Sequence, residues 1–475
     1  MIISMKRRYT VSGLVALAML TASLLTGCSE QEPILLPAPT QSATTPALKP
    51  YSISSQDGDE QFTSVYHSRT VDLRVALPYE GCTVQLLPTT DEEVGAITDK
   101  LEHFTHLGAF SLLPEECRTT EWVDDAEDPL IKHLKVALTG IEDLDYGYYV
   151  LPIKVQAAEY TMSHYILVNR LGDVVPLGEA TKRLPPDLLG GPERTEPMKM
   201  VAYVETNNYD IRNYGNLILT GSRLPVFDFI VLFAANMNYD AVEGRRYISF
   251  NDKLQPIVQH PEIYIKPLTD RGIKVIVDIL PNHQGVGYNN FQSYEEALDF
   301  AKEAKMWTDK LGIDGWDVDE EYAEYWKLPT LETSEMSALW MVKAFKEVMP
   351  DKLITHYEFN SPFSADLTDE DGKSAKDYVD YSWSDYNVTG LSFIDMPKLR
   401  YGNRSIEANS SWQVAGAASS ARAVLSSGLG LFMYFNLNPE ALHNGSQLGY
   451  LSEVTKIFYG ESCDFVGPLY KGPAK

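Results

Sequence analysis

A chain of 475 residues has room for two or three domains, and 44% hydrophobic with 11% aromatic residues can fill sizeable cores. Its 66 acidic residues against 40 basic ones leave a formal net charge of -26. That charge repels phosphate backbones and anionic membrane surfaces, which excludes nucleic acid as a partner.

The chain opens with an export pattern. Lys6, Arg7 and Arg8 precede an apolar run from Val11 to Leu25, and Leu25-Thr26-Gly27-Cys28 resembles the bacterial lipobox, in which the cysteine is lipidated after cleavage before it. A membrane-spanning helix would need a longer apolar span and no small-residue cleavage site. Residues 1–27 thus read as a lipoprotein signal peptide and Cys28 as the lipidation site. Ser29, Glu30 and Glu32 resemble the acidic signal that sends some lipoproteins to the outer face of the outer membrane. The expected location is a lipid anchor facing the cell exterior, with the membrane met through the lipid on Cys28 only. Residues 28–50 hold Pro33, Pro37, Pro39, Pro46 and Pro50 among Ser, Thr, Ala and Gln, a composition that stays extended and serves as a tether.

With Cys28 lipidated, Cys82, Cys117 and Cys463 remain, an odd number. A bridge between Cys82 and Cys117 and a set of free buried thiols are equally good readings. No CxxC or Cys/His cluster occurs, so neither structural zinc nor another cofactor is expected.

From 51 to 170 the pattern is short, β-rich and punctuated by turns. Val71, Leu73 and Val75 alternate within 70–76, and the runs 133–138 and 148–155 follow suit, which predicts a small all-β sandwich. Pro176, Pro185-Pro186, Gly190-Gly191-Pro192 and Pro197 mark 171–197 as a linker. Beyond it the rhythm changes to strand, helix, strand. Candidate strands are 200–205, 227–233, 273–279, 313–318, 353–357, 379–383, 412–415 and 429–435. The clearest helix begins at the capping box Ser293-Tyr294-Glu295-Glu296 and stops at Gly312. This alternation over 198–475 predicts an α/β fold, a (β/α)8 TIM barrel, whose chemistry lies at the carboxyl ends of its strands.

At one such end stands Asp314-Gly315-Trp316-Asp317-Val318-Asp319-Glu320-Glu321-Tyr322. A strand alternates its faces, so Asp317, Asp319 and Glu321 point the same way at roughly 6.6 Å spacing. Crowded carboxylates raise one another's proton affinity, and a fold tolerates this where an acid and a base of different pKa must sit together. A helix-loop-helix calcium loop would need glycine where Tyr322 stands. A solvated acidic face would not interleave Ile313, Trp316 and Val318.

The string Asp314-Gly315-x-Asp317-x-Asp319-x-Glu321 is similar to the signature of glycoside hydrolase family 18, and Glu321-Tyr322-Ala323-Glu324-Tyr325 resembles its endoglycosidase H branch. Four further stretches resemble that branch: 201–205, 233–240, Asn282-His283-Gln284-Gly285-Val286-Gly287 with Asn290-Phe291, and Tyr434-Phe435-Asn436-Leu437. More loosely, Tyr148-Tyr149-Val150-Leu151-Pro152-Ile153 resembles the β-sandwich ahead of such domains in bacterial surface lipoproteins. The resemblance implies hydrolysis of the β-1,4 bond of the N,N'-diacetylchitobiose core of N-linked glycans, with the substrate's 2-acetamido oxygen as nucleophile. It assigns Glu321 as general acid, Asp319 as the residue holding the acetamido N–H, Asp317 as its proton-sharing partner, and Tyr386 as the hydrogen-bond donor to the acetamido oxygen. Trp383, Asn236, Tyr434 and Trp412 are candidates for sugar subsites, as is Asp278, which stands where family members often carry a small residue; pointing into the barrel it would raise the ladder's pKa values or bind a water network, and pointing outward it would change nothing. Two alternatives stay open: a chitinase-like hydrolase, and a non-catalytic glycan-binding lipoprotein. The expected partners are N-linked glycans of glycoproteins, bound by a monomer.

Cys28→Ala should yield unprocessed or soluble protein, while the wild type partitions with membranes and is degraded by protease added to whole cells. Wild type that stays protected in intact cells contradicts the surface location.

Overall fold

A strand buried on both faces reads as an unbroken apolar run. Val201-Ala202-Tyr203-Val204, Phe229-Ile230-Val231-Leu232 and Val275-Ile276-Val277 are such runs. In the computed structural model they form the centres of Lys199–Glu205, Phe229–Asp240 and Lys274–Pro281, the first three strands of a parallel ring. The ring continues through Gly315–Asp319, Leu353–Glu358 and Tyr381–Ser384, and the eighth strand, Leu431–Phe435, pairs back onto the first. The structure describes residues 51–471 apart from 56–61, 66, 106–109, 146, 171–173, 179, 186–193, 361 and 468. The leader, Cys28 and the tether therefore lie outside the described residues.

The seventh strand is not 412–415, which opens the helix Ser411–Ser426. Its place is taken by two short pieces, Tyr401–Gly402 on the sixth strand and Ile406–Glu407 on the eighth. They are split at Arg404, whose φ of 58 no regular strand adopts. Two-residue pieces are too short to show any alternation, so no period marks them in the sequence.

The lumen is packed, not open. Val201, Val231, Ile276, Trp383 and Met433 form one internal cluster, while alternate residues face the helices outside. Gly315 pairs with the lumen residue Ile276, and a Cβ there would stand 2.1 Å from the Leu353 carbonyl oxygen, so the position admits only glycine. The helix Tyr294–Leu311 begins as the sequence predicts, with Ser293 accepting from the Glu296 N–H and Gly312 at φ 67 ending it. The Glu296 carboxylate bonds the Gln292 N–H and Arg246.

Ahead of the barrel, one sheet joins Ile53–Ser55, Arg69–Ala76, Ile131–Leu138 and Arg118–Asp124, and a second centres on Gly147–Ala157 and Tyr160–Arg170. Leu73, Val75, Leu134 and Val136 of the first share a core with Leu151, Ile153, Val155 and Ile166 of the second, which is sheet-on-sheet packing. The unit is not all-β, however, because Asp91–Thr105 is a helix. Its start is written in the sequence as a capping box: the Thr90 N–H donates to Glu93 and the Glu93 N–H to the Thr90 hydroxyl.

The second sheet's other face joins the barrel's outer core through Phe62, Tyr148, Val150 and Leu167. Tyr470, from the end of the chain, stacks edge-on with Tyr148 and accepts from the Asn169 amide at 2.8 Å. The described parts of 171–197 lie along the amino-terminal edge of the barrel. Val175 and Leu177 donate to the Arg223 and Arg271 carbonyls, and the buried Lys182 ammonium bonds Asp228 and the Val226 carbonyl, both at 2.7 Å. Cys82, Cys117 and Cys463 are buried free thiols. Among the described residues no helix is long and apolar enough to cross a membrane.

Candidate active site

The parity of the fourth strand decides which of its acids meet. Gly315, Asp317 and Asp319 face the lumen, and Asp314, at the strand's entry, turns aside to pair with Lys274 at 2.8 Å and accept the Val275 N–H. Asp317 is fully buried and accepts from the Tyr203 hydroxyl at 2.8 Å and from the Thr355 hydroxyl. Burial raises its pKa to about 7 although those two donors favour the ionised form. Asp319, one step up, is 1% exposed and its Oδ1 has no hydrogen-bond partner. Burial pushes its pKa well up, and the nearby Asp278, Glu321 and Asp317 add to the rise. Glu321, past the strand's end, is half-buried, and its pKa is raised by burial and by Asp385 while Tyr322 opposes the shift.

Glu320 faces away from the lumen. It is buried, accepts the Tyr288 N–H at 2.9 Å and the Tyr325 hydroxyl at 2.5 Å, and burial raises its pKa to about 7. Around it the loops after the third and fourth strands are laced together: His283 and Gly285 donate to the Tyr322 and Ala323 carbonyls, and Lys327 to the His283 carbonyl. At Gly287 a Cβ would stand 2.5 Å from the Tyr325 hydroxyl and 2.7 Å from the Ala323 methyl, so only glycine allows this approach. Tyr322, next to the acid, holds φ 57, a left-handed conformation that the surrounding bonds keep in place.

Across the mouth, Tyr386 is half-buried between Tyr357 and Phe435, with ring centroids at 6.5 and 5.6 Å. Burial raises its pKa far enough to keep the phenol protonated. Tyr357 donates to Asp385 at 2.6 Å. Among the described residues no group of His, Cys, Asp and Glu is arranged to hold a metal ion.

No family model matches the chain. It is 32% identical over 267 residues to an endo-β-N-acetylglucosaminidase of Flavobacterium sp. (strain SK1022), covering 56% of this chain and 82% of that protein. It is 33% identical over 278 residues to endo-β-N-acetylglucosaminidase F1 of Elizabethkingia meningoseptica, covering 58% of this chain and 81% of that one. The chain belongs to the endo-β-N-acetylglucosaminidases. It is accordingly a glycoside hydrolase, in agreement with the family 18 pattern of its fourth strand. The fold is shared with EndoBT-3987 of Bacteroides thetaiotamicron, solved with a Man5GlcNAc product: TM-score 0.52, 22% identity, 87% of this chain and 95% of that one.

In this endo-β-N-acetylglucosaminidase the residues expected at the site divide by parity and depth. Asp317, Asp319 and Glu321 form one rising line, with Tyr386 and the half-buried Asn236 at the mouth. Tyr434 does not line the site. It alternates with the lumen residues Met433 and Phe435 and packs outside the barrel against Phe432. Trp383 and Asp278 point into the lumen but are closed off from solvent, so neither presents a surface to a sugar. Trp412 is 67% exposed on the helix after the seventh strand. Sequence reasoning missed Phe435, one residue from Tyr434, and the exposed Tyr322, Trp326, Phe359 and Phe393, which follow the fourth, fifth and sixth strands. The signal was their position just past each strand, where loops carry function.

Asp317 and Glu320 bind a proton more tightly in the folded chain than in the unfolded one. The stability this gives is present below the ordinary carboxylate range and is lost as pH rises through about 7. Glu320→Gln removes one of the two titrations and keeps an acceptor oxygen. Between about pH 5 and about pH 8 the wild type should therefore lose more melting temperature than the variant. Parallel curves would show that Glu320 does not titrate in this range.

Proposed function

We propose that the chain hydrolyses the β-1,4 bond between the two N-acetylglucosamines at the core of N-linked glycans, by substrate-assisted catalysis with net retention. The observation that carries this reading is the graded depth of the ladder: Asp317 sealed, Asp319 just beneath the surface with one free oxygen, Glu321 open to the mouth. Of the three, Glu321 alone can reach a glycosidic oxygen, and its raised pKa suits a group that donates a proton and later takes one from water. The unpartnered Oδ1 of Asp319 accepts the acetamido N–H, which turns the acetamido oxygen toward the anomeric carbon, and its charge then balances the oxazolinium. Asp317, held by Tyr203 and Thr355, shares a proton with Asp319, so the pair titrates as a unit. Tyr386 stays protonated and donates to the acetamido oxygen.

The substrate class is supported by the relatives' shared activity and by the occupant of the EndoBT-3987 fold, a Man9GlcNAc2Asn substrate. Tyr322, Trp326, Phe359, Phe393 and Trp412 offer aromatic faces for the glycan's outer sugars. Lipidation at Cys28 would hold this activity at the outer surface of the cell.

Glu321→Gln keeps shape but has no proton to give, so turnover should drop by about 10²- to 10⁴-fold while glycan binding survives. Asp319→Asn should lose hydrolysis yet still accept a pre-formed sugar oxazoline as donor. Wild-type turnover in the first variant contradicts the acid assignment, and in the second it contradicts attack by the acetamido group.

A further inference from the structure

The carboxyl end of the third strand carries an acid that this mechanism leaves idle. Asp278 lies on the lumen face, two residues past Ile276, and stands opposite Asp317 in the parallel ladder. It is 0% exposed, and neither carboxyl oxygen has a partner in good hydrogen-bond geometry, although the Tyr203 hydroxyl and the Ile279 N–H lie close enough to favour its charged form. The Tyr203 hydroxyl faces it but donates its single proton to the Oδ2 of Asp317, oxygen to oxygen 2.8 Å, and the Thr355 hydroxyl also donates to Asp317. The titratable groups around it are Asp317, Asp319 and Glu321 of the fourth strand, Tyr203 of the first, and Tyr288 of the turn after the third. None of these is basic.

A carboxylate without well-placed donors, sealed among other carboxylates, gives up its charge by taking a proton. A neutral carboxyl beside an ionised one then has an obvious use for that proton, since two adjacent carboxyls are held together by sharing it. We propose that Asp278 is a positioning residue that stays protonated and donates its O–H to the Asp317 carboxylate, keeping Asp317 anionic beneath Asp319. Asp317 then has three donors: Asp278 and Thr355 from the two adjacent strands and Tyr203 from the first strand across the lumen. Asp278 touches no sugar and acts only through Asp317. The proposal rests on the proton-sharing role of Asp317 and Asp319 given above.

The test measures kcat and KM against pH on an N-glycopeptide for the full chain carrying Asp278→Ala or Asp278→Asn, with thermal unfolding recorded for each. Asp278→Ala removes a donor from an ionised partner, so kcat at neutral pH should fall about tenfold with KM within about twofold. Without that donor Asp317 gains proton affinity, and the acid limb of the kcat profile should move up by about one pH unit. Asp278→Asn supplies an amide donor of the same shape and should restore kcat to within about threefold, with the acid limb back in place. If Asp278→Ala does not fold, Asp278→Leu fills the space without a donor and takes its place. An unchanged kcat and acid limb in the donorless variant overturns the proposal. So does a folded Asp278→Asn as impaired as Asp278→Ala, since charge rather than a donated proton would then matter. Either result leaves the roles of Glu321 and Asp319 standing, because those are read from their own variants.

Discussion

Everything at the mouth of this barrel follows from one constraint: Asp278, Asp317 and Asp319 are buried together on the lumen face, with Glu320 buried behind them, and the charges acting on Asp278 and Asp319 are those of neighbouring acids. Burying an ionised carboxylate is costly unless donors surround it or a proton neutralises it. The fold uses both remedies. Tyr203 and Thr355 are aimed at Asp317 from two other strands, and the Tyr288 N–H and Tyr325 hydroxyl at Glu320, while the raised proton affinities leave part of the cluster neutral. A cluster in this state can hold, lend and recover a proton near neutral pH, which the proposed chemistry requires.

The same constraint explains the loops. Glu320 faces away from the lumen, and the residues that satisfy it belong to the turn after the third strand and to the segment following Glu321. Satisfying one buried acid therefore fixes the backbone on either side of the catalytic one. The glycine at 287 lets the two loops approach to within contact of each other's side chains. The sheets ahead of the barrel take no part in this network. Their seam with the barrel lies in its outer core, at Phe62, Tyr148 and Tyr470.

The ladder was legible in the sequence because parity along a strand is strict: once Asp317 faces the lumen, Asp319 must too. The same rule places Tyr434 outside, yet its aromatic character drew it into the site when the neighbouring Phe435 was the residue facing in. The seven other barrel strands fall on the runs expected from the sequence, whereas the seventh was too short and too broken to have a period. The helix 91–105 carried its signal at Thr90 and Glu93, in a region whose β-rich surroundings masked it. Parity turns Glu320 to the opposite strand face, but its burial is not written in the sequence. Its partners lie 5 and 32 residues away, and only folding brings the distant one to it.

In the proposed mechanism the substrate's own acetamido group, not a directly attacking water, displaces the leaving sugar at a site built around Glu321 and Asp319, so hydrolysis proceeds with net retention. Proton NMR of the reducing end released from an N-glycopeptide, recorded within the first turnovers, tests it most directly. With acetamido attack the first-formed product is the β-anomer, ending in one N-acetylglucosamine, with its mate left on asparagine. An initial α-anomer, or release of the intact two-sugar core, would contradict it.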